Sequence, residues 1–134
     1  MRKLASIILF LVIVSNSFGQ SENSPLQISH LTGDFYVYKT FSDYKGNLIS
    51  ANAMYLVTSK GVVLFDVPWQ KTQYQSLLDT IQKRHNLPVI AVFATHSHED
   101  RAGDLSFYNK KGIKTYATAK TNELLKKDGT SRTY

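Results

Sequence analysis

Three observations predict an α/β fold for this sequence. Residues 26 to 67 read as strands separated by short turn signals. From Pro68 onward the pattern becomes helix, strand, helix, strand, helix. The apolar run Pro88 to Ala94 leads directly into Thr95-His96-Ser97-His98-Glu99-Asp100-Arg101-Ala102-Gly103, which places chemistry at the carboxyl end of a strand, where open α/β sheets bind their ligands.

The first segment is a targeting signal rather than part of the fold. Arg2 and Lys3 form a charged start, Leu4 to Val14 an apolar core and Ser17-Phe18-Gly19 a small-x-small cleavage site, so residues 1–19 read as a signal peptide. The apolar run is shorter than the roughly 20 residues that a spanning helix needs. Export to the periplasm is therefore expected, with no membrane association once the signal is removed. The sequence contains no cysteine, which excludes a lipidated cysteine and any disulfide. Without Arg2 and Lys3 the 16 basic residues become 14 against 10 acidic ones, a balance of +4 instead of +6. The cations are dispersed, so they read as a solvated surface and not as a nucleic-acid footprint. Residues 20–134 are enough for one domain, and a monomer is expected.

Leu26 to Leu31 and Asp34 to Phe41 read as strands joined at Thr32-Gly33, with His30 in a structural role. Tyr36, Tyr38 and Thr40 alternate with Phe35, Val37 and Phe41, giving one buried and one partly exposed face. The chain then turns polar, and Asp43 to Asn47 are expected to form a mobile loop. Tyr44 and Leu48 could offer apolar contact to a ligand there; a plain solvent-exposed hairpin is the equal alternative. Ala51 to Thr58 and Val62 to Val67 read as strands around Ser59-Lys60-Gly61. Asp66, an acid at the end of an apolar strand, requires hydrogen bonds if buried, and Trp69 reads as core. Gln70 to Arg84 is expected to be a helix, with Tyr74, Leu77, Leu78 and Ile81 as its apolar stripe. Lys83, Arg84 and His85 crowd its end, where the helix dipole favours cations, so His85 reads as a cap. The run from Pro88 to Ala94 suits a strand buried on both faces. Ala102 to Asn109 reads as a short helix, Ile113 to Tyr116 as a strand, and a last helix starts after the cap Thr118. Glu123 stands four residues before Lys127, and Gly129 marks the stop.

His96, His98 and Asp100 alternate, so in an extended loop their side chains project to one side. Imidazole nitrogen and carboxylate oxygen are ordinary zinc ligands, and three protein ligands with an open position is the catalytic pattern. A surface His pair that binds nothing is the competing reading; Asp100, the apolar strand before and Gly103 after favour metal. Ser97 and Glu99 would point away, with Glu99 solvated.

On these residues the chain resembles the metallo-β-lactamase superfamily, through Thr-His-x-His-x-Asp-Arg-x-Gly after an apolar strand. Within it the chain is most similar to the zinc β-lactamases of class B, first subclass. Arg101 makes the distinction, because most other hydrolases that the superfamily resemblance brings in carry a ligating His directly after the Asp. An arginine has only donors and cannot ligate. The resemblance implies the N-terminal half of a four-layer αββα sandwich over residues 20–134, with the C-terminal half absent, and an exposed sheet face where the partner layer belongs. It implies that His96 and His98 bind a first zinc and Asp100 a second, so that one or two ions are held by the complete enzyme. The absent half would supply the third His, the Cys and His of the second zinc, and a substrate-binding Lys. Asp100 would be catalytic through orientation of the nucleophile. Asp66, in the family's Asp-x-Pro-Trp context, would steady the ligand loop, Arg101 would brace it, and Tyr44 and Leu48 would sit on a substrate flap. The implied function is hydrolysis of the β-lactam amide of a small-molecule antibiotic, hence resistance. The alternatives are a lactone or thioester substrate within the superfamily, against which Arg101 argues, and a non-catalytic exported remnant.

Overall fold

A computed structural model describes residues 26–127. The expected signal peptide, the polar leader Ser21 to Pro25 and the stop at Gly129 lie outside the described residues.

Six strands form one mixed sheet whose spatial order is the order of the chain. β1 (Gln27–Thr32), β2 (Phe35–Tyr44), β3 (Asn47–Thr58) and β4 (Gly61–Phe65) make an antiparallel meander. α1 (Thr72–His85) then crosses over to β5 (Val89–Ala94), which pairs parallel with β4, and β6 (Lys114–Ala117) pairs parallel with β5. Between β5 and β6 lie two short helices, α2 (Glu99–Ala102) and α3 (Leu105–Asn109), and α4 (Ala119–Lys127) follows β6.

Alternation along the strands decides what the sheet buries. Tyr38, Ala53, Tyr55, Val62, Leu64 and Val92 share one core with Tyr74, Leu77 and Ile81 of α1, Leu105 and Tyr108 of α3, and Leu125 of α4. The helices thus cover one face. Along the other face a row of apolar side chains runs in register over five strands, Val37 to Met54 to Phe65 to Phe93 to Tyr116. The rings of Phe65, Phe93 and Tyr116 stack in sequence, with centroids 6.0 and 4.7 Å apart. Phe93 is 41% exposed and Tyr116 44%.

This corrects the reading of Pro88 to Ala94 as a strand buried on both faces, since Ile90 and Phe93 are exposed. Sequence apolarity cannot separate a strand covered twice from one whose open face is apolar. The expected loop from Asp43 to Asn47 is also corrected. β2 and β3 stay paired out to Tyr44 and Asn47, and only Lys45 and Gly46 turn, both with positive φ (54° and 78°). Two left-handed central residues are what a tight hairpin needs to match strand twist. In α1, Tyr74, Leu77 and Ile81 are buried as expected, while Leu78 is half-buried. His85 is the last helical residue and the cap is Asn86, left-handed at φ 54°. Thr118 Oγ1 accepts the Thr121 N–H, the geometry of a helix N-cap. Glu123 pairs with Lys120 at 2.9 Å, one turn N-terminal, instead of with Lys127.

Candidate metal centre

β5 is the second of three parallel-paired strands, and its end delivers Thr95 to the sheet's carboxyl edge. There Asp66 redirects the backbone. It stops β4 by adopting φ 69°, and its buried carboxylate is satisfied by the Thr95 N–H, which donates to Oδ1 at 2.8 Å. The Asp66 N–H donates to the Phe93 carbonyl at 2.8 Å, and the Tyr38 hydroxyl to the Asp66 carbonyl at 2.8 Å. Burial, and then the nearby Asp66 carboxylate, push the Tyr38 phenol well above its ordinary range, so it stays a donor.

The His pair follows on extended backbone, with His98 at φ −65° and ψ 153°. Beyond it the expected extended loop is replaced by a helical turn. The Arg101 and Ala102 N–H groups both donate to the His98 carbonyl, at 3.0 and 2.9 Å, and Gly103 N–H donates to Glu99 at 3.0 Å. Asp100 therefore reaches the histidines from the first turn of α2 and not by strand-like alternation. Ligand atoms of His96, His98 and Asp100 nevertheless lie within 4.8 Å of one another. The imidazoles meet edge to face, 4.7 Å between centroids. Thr95 Oγ1 stands 3.2 Å from His96 Nδ1, which leaves Nε2 as that ring's outward donor atom. Two imidazoles and one carboxylate at this spacing, exposed or half-exposed to solvent, fit the donor set of zinc.

Arg101 ties this cluster to the sheet. Its Nη2 lies 3.2 Å from Asp100 Oδ2, its Nε 3.9 Å from Asp66 Oδ2, and its Nη1 donates to the Asn52 carbonyl of β3 at 2.7 Å. A planar fork with several fixed donors can serve three acceptors spread over its separate nitrogens, whereas a lysine presents its donors from a single atom. Val67 N–H donates to the Arg101 carbonyl at 3.0 Å, pinning α2 from below. His30 and His85 lie apart from this cluster. His30 Nε2 is 2.8 Å from the Gly33 carbonyl, and His85 Nε2 is 3.0 Å from the Tyr55 hydroxyl. Tyr44 and Leu48 occupy the tip of the β2–β3 hairpin, 52% and 61% exposed. Trp69 is half-buried, and its backbone N–H donates to Thr40 Oγ1 at 3.4 Å. Sequence reasoning missed the roles of Thr95 and of the Asn52 carbonyl; a backbone acceptor on a distant strand leaves no trace in residue type.

A fold of this topology with His-x-His-x-Asp at the end of β5 defines a class, and the family comparison agrees: residues 46–131 match the metallo-beta-lactamase superfamily, and the chain belongs to it. Among its relatives it is 75% identical over 99 residues to the metallo-beta-lactamase IND-1 of Chryseobacterium indologenes, covering 74% of this chain and 41% of that protein. It is 46% identical over 117 residues to a type 2 metallo-beta-lactamase of Elizabethkingia meningoseptica, covering 87% of this chain and 47% of that one. The crystal structure of metallo-beta-lactamase IND-7 superposes with a TM-score of 0.77 at 70% identity, over 79% of this chain and 49% of that chain. The chain thus spans about half the length of the relatives it matches.

Proposed function

We propose that this chain contributes the His96, His98 and Asp100 side of a zinc centre that hydrolyses the β-lactam amide bond. The observation that carries the reading is the convergence of these three ligand atoms within 4.8 Å, backed by an arginine where a further ligand could stand. The names of the relatives, metallo-beta-lactamases at 75% and 46% identity, support the substrate class. Zinc held there would supply Lewis acidity, bringing a bound water's pKa to about 7 and polarising the attacked carbonyl. The protein's own part is positional. Asp66 fixes where the ligand segment begins, Arg101 holds Asp100 by one oxygen, and the solvent-facing rim leaves the histidines open to a small substrate. Asp100 is the catalytic carboxylate in this reading, placed to orient the nucleophile.

Tyr44 and Leu48 are assigned to substrate contact from the hairpin tip. The charged start, apolar core and Gly19 site support export to the periplasm, and with it a role in antibiotic resistance. The partner is a small β-lactam, not nucleic acid or membrane, and the active form is a monomer. The test is hydrolysis of a chromogenic cephalosporin by the protein isolated from its native source, with and without chelator. Chelation should abolish turnover and zinc restore it, while H96A and H98A variants should lose at least about 100-fold. Turnover that survives chelation, or that favours a lactone or thioester over the cephalosporin, would overturn the reading.

A further inference from the structure

The ligand segment is gripped at both ends, and the grip at its exit has not been assigned to any residue. At the entrance Asp66 Oδ1 accepts the Thr95 N–H. At the exit the Asp104 N–H donates to the Tyr74 hydroxyl at 2.9 Å. Tyr74 is 1% exposed, and its ring is fixed edge to face on Phe107 and tilted on Tyr108, each 5.3 Å between centroids. Between the two grips, Gly103 turns at φ 41° and ψ −127° directly above the same hydroxyl. A Cβ at 103 would collide with Tyr74 Oη and come within 2.6 Å of Val67 Cγ2. The ligand-bearing turn therefore rests on the Tyr74 hydroxyl, closer than any side chain at 103 allows.

We propose that Tyr74 is a positioning residue for the metal centre, its hydroxyl setting where the chain leaves Asp100 and so how the carboxylate meets the two imidazoles. The inference rests on the metal reading of His96, His98 and Asp100. Phenylalanine at 74 keeps the ring packing and removes the hydroxyl, so the Asp104 N–H loses the acceptor it has there. Tyr108 supplies the matched control. It is fully buried in the same layer, and its hydroxyl has no hydrogen-bond partner among the described residues.

The experiment compares the ¹⁵N-labelled full chain with its Y74F and Y108F variants by amide exchange, imidazole resonances and zinc titration. In Y74F the Asp104 amide should exchange about tenfold faster, and the His96 and His98 imidazole signals should move. Zinc should bind about tenfold more weakly, the usual scale for groups that orient ligands. Y108F should leave all three readouts at the wild-type values. Y74F behaving like Y108F in exchange and imidazole signals would overturn the proposal. If the wild-type chain binds no zinc, the metal reading fails, and the exchange and imidazole signals alone then decide whether Tyr74 positions the segment.

Discussion

At residue 66 two demands meet that few side chains satisfy together. The backbone must take a positive φ of 69° to end β4, and a buried acceptor must receive the Thr95 N–H. Asparagine tolerates the first and retains an acceptor for the second, whereas alanine fails both. D66A should therefore lose about 2–4 kcal/mol of unfolding free energy, from one unpaired buried N–H and a strained backbone. D66N should lose less than half of that, and urea denaturation separates the two. A D66A variant as stable as D66N would mean that the carboxylate does not hold the loop. Position 66 stood out in the sequence because an acid closing an apolar strand needs a partner. Tyr74 did not. It fell on the apolar stripe of α1, and nothing in residue type announces that a buried hydroxyl will accept an N–H thirty positions downstream.

Among the elements, α1 shows what pattern can and cannot specify. Its apolar stripe gave the buried face, because 3.6-residue periodicity and burial are two views of one geometry. Its end was read from charge alone, and there the side-chain contacts matter more. His85 lies against the Tyr55 hydroxyl and edge-on to the Tyr36 ring, which itself stacks on Tyr55 at 4.9 Å. Burial, and then the neighbouring Arg84 charge, hold this imidazole below its ordinary pKa of 6.5. The unfolded chain thus takes up the proton first as pH falls, and unfolding is favoured. Stability should decline as pH drops through about 6.5 and level off below the folded-state value. In H85Q the decline between pH 7 and 5 should be shallower than in the wild type; equal slopes in thermal denaturation would remove His85 as its source. The β2–β3 hairpin shows the converse failure. Asp43 and Asn47 read as loop because they are polar, yet both are paired strand residues, and a strand pair exposed to solvent along its tip has no buried face to mark it in the sequence.

For the whole molecule, the open sheet face is the dominant physical fact. The row from Val37 to Tyr116 presents contiguous apolar surface of the kind that soluble proteins seldom leave uncovered. The chain should bind a hydrophobic dye in its folded form. F93S, at a site already 41% exposed, should lower that fluorescence and cost little stability; unchanged fluorescence would place the dye elsewhere. The α/β class and the succession of strands and helices were legible because turns and alternation are local, while the degree of cover on each face was not, since cover is a property of what packs against a strand. A different consequence follows from the identity of spatial and chain order across the six strands. Each strand meets a neighbour that the chain has already made, so closure entropy is spent in small steps through the meander. The first large step is the crossover through α1 that adds β5. Pulse-labelled exchange during refolding should protect the β2–β3 amides before the Thr95 amide. The metal ligands are then assembled late, on a meander that is already standing.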